Sequence, residues 1–497
     1  MNSEDNRSNQ NIKADLVVIG GGGAGLAAAV AAAEKGAGRI IVLEKRGAAG
    51  GTSAMASGIF ASESPTQRRQ AIIANTDDLF KRVMNWSHFS VNPRIIRAFM
   101  NKSGDTIRWL EDMGPYFYCV PHSPIDNPLT WHVPKGNGAE IMQALSDRCR
   151  NLRVEIMLDA PGKEILLGPG NNVNVVVSGQ EDREFTINTG AVIIATGGFG
   201  GNKEMLQKYC PKYRDNMRLS GLPNQGDGIL MAMKAGGSTD GLGMLMSAGP
   251  FGGGGGLLKL GTEPNIIPVQ ATFIVGEPVA IWVNTKGRRF IDETASFNYY
   301  EGINALIRQP ESICYALFDT GMVRMVSENG FSNVPSGYAY GEPQRSKLPP
   351  GLEEGIKEYA KKGTIKMSDS WDEIADWTKT DREVLRNTIE EYNTACDRKY
   401  DPVFGKDRTY LTPLRHPPYY AVKCGSGMLN TMGGIRINER MEVLDKNDDP
   451  IPGLYAAGVD TGGWTPDTYC AMLPGTAFGY AINSGRIAGE SAYEYTS

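Results

Sequence analysis

Gly20, Gly22 and Gly25 stand in G-x-G-x-x-G spacing directly after an apolar run, Leu16 to Ile19, and they open an alanine-rich stretch that also holds Gly23 and Ala24. A second apolar run, Arg39 to Leu43, ends on an acid, Glu44. Strand, glycines, helix, strand and carboxylate in that order are the parts of a dinucleotide site. The glycines permit a tight turn and let the backbone approach a pyrophosphate. The free N–H groups and dipole of the helix N-terminus hold the phosphates, and Glu44 is placed to accept the ribose hydroxyls. Beyond it, the segment Gly50 to Gly58, beginning Gly50-Gly51-Thr52-Ser53, is built largely of small residues whose backbone can lie against a flat ring system.

Those parts need a scaffold, and 497 residues give room for two domains, or one large domain with an insertion. Asn92-Pro93 reads as an N-cap with proline at the first helical position, opening a helix to about Met113; another covers Ala139 to Cys149. The stretches RVEIMLD, KEILLGPGNNVNVVVSG and REFTINTGAVIIATGG alternate apolar and polar residues around turn signals and read as strands. The last of these ends in an apolar run, Ala191 to Ala195, followed by Thr196-Gly197-Gly198. The long gap between the first βαβ unit and this strand is typical of flavin-binding rather than nicotinamide-binding domains. From about Gly252 to His416 the texture changes: GGGGG (Gly252 to Gly256) reads as a hinge, and Trp371 to Tyr400 as helices with charged, solvated faces. Dinucleotide-domain texture then returns with MGGIRINERMEVLD, IPGLYAAG and a final helix from about Thr476. The reading is an α/β chain: a discontinuous Rossmann-like domain (14–255 and 417–497), an inserted α+β cap domain (256–416), and a disordered tail (1–13).

Composition narrows the partners. A net charge of −5 gives no reason to expect nucleic acid or an anionic membrane. The N-terminal apolar strand is far too short to cross a bilayer. Four histidines without an H-x-x-x-H pair argue against a catalytic metal. Seven cysteines without C-x-x-C spacing, and no apolar leader in the first thirteen residues, point to a reducing cytoplasm.

Several motifs converge in order: GGGGAGLAAA with Glu44, GGTS, ATGGFGGN (Ala195 to Asn202), GDGI (Gly226 to Ile229), GRRFIDE (Gly287 to Glu293), TMGGI (Thr431 to Ile435) and IPGLYAAG (Ile451 to Gly458). From residue 14 to about 490 the chain resembles the flavoprotein family of fumarate reductase, succinate dehydrogenase and 3-ketosteroid dehydrogenase. The resemblance implies FAD, a cap domain, and redox chemistry at a carbon–carbon bond beside an activating carbonyl. It implies cofactor contacts from the glycine loop, Glu44, Lys45, the Gly50–Ser53 segment, Ala195, Thr196, Gly197, Asp227 and Gly458. Asp460 is expected to compensate for Val459, which stands where many relatives have a glutamate. The last helix, opening at Gly475, Thr476 and Ala477, is expected to point at the flavin's pyrimidine edge. Covalently flavinylated members use a histidine near the GGTS-like segment; none lies there, so the FAD is expected to be non-covalent.

Departures from the family narrow the substrate. At the positions of the fumarate reductases' general-acid arginine, substrate histidine and second carboxylate-binding arginine this chain has Phe297, Asn430 and Met472. Neither phenylalanine nor methionine replaces a bidentate guanidinium, so a dicarboxylate substrate is not expected. Tyrosines occupy the neighbourhoods that ketosteroid dehydrogenases use: Tyr116 and Tyr118, Tyr299 and Tyr300, and Tyr469. Tyr469 is the first candidate proton donor, then Tyr300 or Tyr299, with Tyr118 from the third neighbourhood. Arg288 and Arg289 read as packing residues pairing with Glu293, His122 and His132 as ordinary histidines, and Cys470 as a small buried residue. The expected activity is reduction of a neutral cyclic, steroid- or polyphenol-like substrate. The alternatives are 3-ketosteroid dehydrogenation, isoflavonoid reduction, dicarboxylate reduction and a flavin electron-transfer subunit. No second G-x-G-x-x-G follows a strand, so electrons are expected from a partner protein, a diffusible carrier or visiting NAD(P)H.

Overall fold

The computed structural model describes residues 11–123, 126–170, 172–180, 183–219, 223–251, 274–330, 352–363, 365–470 and 472–497. The glycine run Gly252 to Gly256, read as a hinge, lies outside them. An eight-stranded sheet carries the glycine loop. At its centre, strand Asn11–Ile19 runs parallel to Ile40–Leu43 on one side and to Arg183–Ile194 on the other. Pro450–Ala456 extends the sheet beside Arg183–Ile194, and Glu155–Met157 beside Ile40–Leu43. Residues 16–19 and 40–43 are almost wholly buried because helices cover the parallel strands, which is why they read as continuous apolar runs rather than alternating ones. Asn11, Ile12 and Lys13, expected to fray with the tail, pair instead with Thr186, Ile187 and Asn188. The ladder to the long strand Arg183–Ile194 satisfies their backbone groups, and a polar edge does not prevent that.

Helix Gly23–Lys35 lies against the last helix, Thr476–Thr496. The approach depends on small residues: a Cβ on Gly485 or Gly489 would stand 2.2 Å from the carbonyl oxygen of Ala24 or Ala28. The expected helices appear as Pro93–Glu111, with Asn92 Oδ1 accepting from the Arg94 and Ile95 N–H groups, and Asn137–Asn151.

A second, six-stranded sheet joins the insertion to this body. Its long strand, Tyr419–Thr431, pairs through Tyr419–Cys424 with Cys314–Asp319 and through Gly425–Thr431 with Leu245–Phe251. Val422 and Cys424 belong to the apolar core of the insertion, whereas Met428 belongs to the core of the nucleotide-binding body. The two cores thus meet within one strand, several residues past the expected boundary at 416/417. Helices Trp371–Thr378 and Arg382–Arg398 carry exposed ion pairs, Arg382–Asp376 and Arg386–Asp372, on their solvated faces. Among the described residues no helix is long and apolar enough to cross a membrane.

Candidate active site

Each glycine of the loop has a separate steric reason. Gly20 has φ +112°, and a Cβ there would meet the Ala195 carbonyl oxygen at 2.2 Å. A Cβ on Gly25 would lie 1.8 Å from the Gly20 carbonyl oxygen, so this glycine lets the helix close onto its strand. A Cβ on Gly22 would meet nothing within 4 Å. Gly22 also caps a thirteen-residue helix and, being glycine, brings no side chain of its own to the N–H groups that open it. Glu44 is buried, with Oε2 accepting from the Gly21 N–H (2.8 Å) and Oε1 from the Arg46 N–H (2.9 Å). Each carboxylate oxygen keeps lone-pair capacity for a ribose hydroxyl.

Gly50 (φ +118°) and Gly51 (φ +52°) lead into a short 3₁₀ turn, Gly51–Met55, with no fully buried residue, and the Gly50 N–H donates to the Gly21 carbonyl at 2.8 Å. Ser53 Oγ accepts from the Gly23 N–H at 3.2 Å, and Thr52 Oγ1 lies 3.4 Å from Asn224 Nδ2. This surface of small residues beside a helix N-terminus fits a flavin dinucleotide. Ala24 is buried in the helix behind it. Lys45 and Asp227 bind each other at 2.7 Å, with Lys45 also on the Pro223 carbonyl. Asp460 is fully buried, and its carboxylate accepts from the Thr196, Gly197 and Gly198 N–H groups and the Thr196 hydroxyl. Burial pushes its carboxyl up, and those hydrogen bonds oppose the shift. Asp460 therefore shapes the loop after Ala195 from beneath, with its oxygens occupied. Gly458 (φ +72°) gives its N–H to Ser484 on the last helix.

At the N-terminus of that helix three aromatic rings pack in sequence, tilted at 40° and 59° to one another. Tyr299 and Tyr300 have centroids 4.4 Å apart, and Tyr300 and Tyr469 4.7 Å apart. All three are buried. The Tyr469 hydroxyl accepts the Ala477 N–H at 3.1 Å, so the helix dipole aims at its oxygen. Burial pushes the Tyr469 phenol above its ordinary range, and the Ala477 N–H pulls it back. Tyr299 and Tyr300 are raised the same way, and their hydroxyls are in hydrogen-bonding contact with each other. Since Ala477 gives its N–H to Tyr469 and the Thr476 hydroxyl bonds the Leu473 carbonyl, these two donors of the helix end are already engaged. Gly475, with φ +80°, makes the turn: a Cβ there would strike Ile59 and Phe60 at 2.7 Å. The same helix reaches the glycine loop, where a Cβ on Gly23 would come 3.1 Å from Ile482 Cδ1.

Tyr118 does not join this group. It lies on the exposed side of strand Phe117–Cys119, edge-on to Tyr116, because strand alternation turns Phe117 and Cys119 inward instead. The loop after that strand contributes His122, whose Nε2 is 3.0 Å from the Tyr299 hydroxyl. Sequence reasoning passed over His122; the one signal was its place four residues before Asp126, whose Oδ2 accepts the N–H groups of His122 and Ser123. His132 is structural: it is fully buried, its Nδ1 donates to the Thr130 carbonyl (2.9 Å), and Nε2 therefore accepts from the Ser64 hydroxyl (2.6 Å). Arg289 forms a fork on Glu293 (2.9 and 2.8 Å) and reaches Asp401, while Lys406 completes a buried network with Glu293 at 2.9 Å. Cys470 is buried, and its thiol is pushed up to about 12 by burial.

The three departures are committed elsewhere. Phe297 is buried edge-to-face with Tyr410 at 5.5 Å. Asn430 donates its amide to the Gly197 carbonyl (3.0 Å), and its oxygen accepts from the Thr431 N–H (2.9 Å). Met472 lines an open groove of about 560 Å³ with Asp78, Lys81, Arg82, Asn85 and Trp86. No cluster of metal-ligating side chains is present among the described residues.

With the geometry in hand, the chain belongs to the FAD binding domain family, which matches residues 15–468. It is similar to a vinyl phenol reductase of Lactiplantibacillus plantarum, 33% identical over 465 residues that cover 92% of each chain. It is also similar to an NADH:fumarate oxidoreductase of Klebsiella pneumoniae, 28% identical, covering 91% of this chain and 45% of that one. Among solved structures, the open conformation of a flavocytochrome c3 fumarate reductase superposes with TM-score 0.74 and 25% identity over 98% of this chain and 79% of its own. A 3-ketosteroid-delta4-(5alpha)-dehydrogenase from Rhodococcus jostii superposes with TM-score 0.74, 22% identity and 98% of both chains covered, which shows the shared fold. The protein is an FAD-dependent oxidoreductase of the fumarate reductase and ketosteroid dehydrogenase family.

Proposed function

We propose that this protein is an ene-reductase for a neutral, cyclic, conjugated substrate, holding its FAD non-covalently. The observation that carries the reading is the Tyr469 hydroxyl resting on the N-terminus of the last helix, within a buried cluster of tyrosines. The FAD, when bound, supplies the hydride. Tyr469 gives a proton to the adjacent substrate carbon, and the Ala477 N–H and helix dipole hold the tyrosinate oxygen that results. Burial of the three rings keeps water from competing for that proton. The absence of a guanidinium at the positions of Phe297 and Met472 removes the means of binding a dicarboxylate.

A relative that matches end to end is named for vinyl phenol, so a hydroxystyrene joins enones and flavonoids among the candidate substrates. All seven cysteines are free and buried, in keeping with a reducing cytoplasm, and the electrons come from an external donor. The test is anaerobic mixing of photoreduced enzyme with 4-vinylphenol, a 3-keto-4-ene steroid, an isoflavone and fumarate, following the return of oxidised-flavin absorbance. Fast reoxidation by one of the neutral compounds, with fumarate inert, is expected. Fast reoxidation by fumarate overturns the proposal.

A further inference from the structure

One cation holds the loop that carries Tyr469. Lys212 follows helix Lys203–Tyr209 in a turn closed by the Tyr213 N–H on the Cys210 carbonyl at 3.0 Å, and both of those residues are buried. The lysine thus rises from fixed backbone, and its side chain is only 21% exposed. Its ammonium lies 2.9 Å from Asn304 Oδ1, 3.0 Å from the Asp467 carbonyl oxygen and 2.9 Å from Asp467 Oδ2. Three protons meet three oxygens, and Thr468 Oγ1 stands further off at 3.5 Å. An ammonium only donates, so Asn304 must turn its oxygen toward Lys212 and its amide nitrogen toward Thr468 Oγ1, 3.0 Å away. The Thr468 hydroxyl accepts there and gives its own proton to Asp467 Oδ1 at 3.1 Å. A single donor-only group therefore sets the direction of every bond in the cluster.

The residues so joined stand next to two of the buried tyrosines. Thr468 immediately precedes Tyr469, and Asn304 lies one helical turn beyond Tyr300 on helix Tyr299–Leu306. That helix straddles two cores: Tyr299 and Tyr300 pack in the nucleotide-binding body, Ile303 and Leu306 in the insertion. A shift of the insertion would carry Tyr300 off Tyr469 unless the helix were tied to the loop. We propose, on the reading that Tyr469 is the proton donor, that Lys212 is a positioning residue: it fastens the Tyr469 loop to the Tyr300 helix and keeps the phenol on the Ala477 N–H. Tyr469 is then fixed at its hydroxyl by the helix end, at its ring by Tyr300, and at its backbone by Lys212 through Asp467 and Thr468. The Asp467 carboxylate is 68% exposed, so the attraction of opposite charges is screened and adds little. The directed hydrogen bonds to Asn304 and the Asp467 carbonyl do the holding. Without the ammonium the Asn304 amide is free to flip, the Asp467 carbonyl loses its donor, and the loop drifts. A misplacement of about 1 Å at a reacting group costs about 100-fold in rate.

The test uses FAD-loaded enzyme and the variants Lys212→Met, which keeps the stem and removes the donor, Lys212→Ala and Thr468→Val. In enzyme labelled with fluorotyrosine, the Tyr469 signal is the one of 20 that Tyr469→Phe removes. It is expected to shift or broaden in all three variants with flavin content unchanged. In Lys212→Ala it should return when methylammonium replaces the lost head group. A Tyr469 signal that does not move overturns the proposal. This readout needs no substrate, so it stands apart from the ene-reductase reading. With a substrate that reoxidises the photoreduced flavin, Lys212→Met is expected to lower kcat about 10- to 100-fold while KM changes less than about threefold. Methylammonium should restore part of kcat in Lys212→Ala. A rate loss that follows lost FAD or early melting, with no rescue by methylammonium, would mean general packing and overturn the positioning role. If no compound reoxidises the flavin, the ene-reductase reading fails, and the fluorine signal still decides whether Lys212 holds Tyr469 in place.

Discussion

Replacing Gly22 and Gly25 with alanine, one at a time, separates folding from cofactor binding at a single loop. Gly22 has φ −83°, which alanine adopts without strain, and its added Cβ meets no atom within 4 Å. As the helix cap it loses under about 1 kcal/mol of stability on the change to alanine. The methyl does, however, enter the face from which a pyrophosphate approaches the helix N-terminus. Losing one hydrogen bond to a charged phosphate oxygen costs about 1.5–3 kcal/mol, which weakens FAD binding about 10- to 150-fold. Gly25 is the opposite case, since its Cβ would sit 1.8 Å from the Gly20 carbonyl oxygen. The backbone must move, at a cost of about 1–3 kcal/mol or more. Flavin-fluorescence titration of the apoproteins, with apoprotein melting alongside, gives both readouts. Gly22→Ala should melt like wild type and bind FAD weakly, while Gly25→Ala should melt early even without FAD. Wild-type FAD affinity in Gly22→Ala, or matching melting curves for the two variants, would refute the reasoning.

Tyr469→Phe is expected to retain FAD but to slow flavin reoxidation by a substrate about 10²- to 10⁴-fold, the usual worth of a positioned proton donor; a change below threefold would remove Tyr469 from that role. Glu293→Gln strips the anion shared by Arg289 and Lys406 in the core of the insertion and should cost about 3–5 kcal/mol in urea unfolding. A loss under about 1 kcal/mol would mean that water reaches the site. His132, pushed down by burial from 6.5 to about 4, stays neutral when folded, whereas the unfolded chain binds a proton below 6.5. Its contribution is complete above that pH and declines as pH falls toward about 4, by up to about 3 kcal/mol. The wild type should therefore lose more stability than His132→Gln between about pH 7 and about pH 5, and parallel losses would disprove the assignment.

The nucleotide-binding loop was legible because its physics is local. Tight turn, helix cap and strand-end carboxylate lie within one βαβ unit, and each constrains residue type at a fixed spacing. Arg289 pairing with Glu293 was legible for the same reason, being only four residues apart. Lys406 and Asp401, which complete that network, come from far along the chain and gave no signal. The tyrosine cluster was half legible. Three segments were marked by resemblance, but only the pleat of Phe117–Cys119 decides that Tyr118 faces outward and leaves His122 to reach Tyr299. Asp460 illustrates another limit. It was expected to compensate for Val459, and nothing in the sequence showed that the loop at Thr196–Gly198 needs an acceptor for consecutive N–H groups, a need that its buried carboxylate meets.

Whether this site can be turned toward dicarboxylates depends on what now occupies the three departed positions. Arginine at 297 would have to replace a buried phenyl ring packed on Tyr410, exchanging apolar contact for a buried guanidinium. Left without a partner, such a buried charge costs about 3–5 kcal/mol. Histidine at 430 faces a different obstacle. The Asn430 amide bridges the Gly197 carbonyl and the Thr431 N–H, and even a Cβ on Gly200 would stand 2.8 Å from its oxygen, so an imidazole has no room. Met472 alone is on an open groove, where a long cation can reach water. Met472→Arg should therefore fold and bind FAD normally, yet still leave the photoreduced flavin unreactive toward fumarate, because one rim cation supplies neither the second clamp nor the proton. Fumarate turnover by Met472→Arg would show that the barrier to dicarboxylates lies in that one side chain, and that the packing of Phe297 and Asn430 has no part in substrate choice.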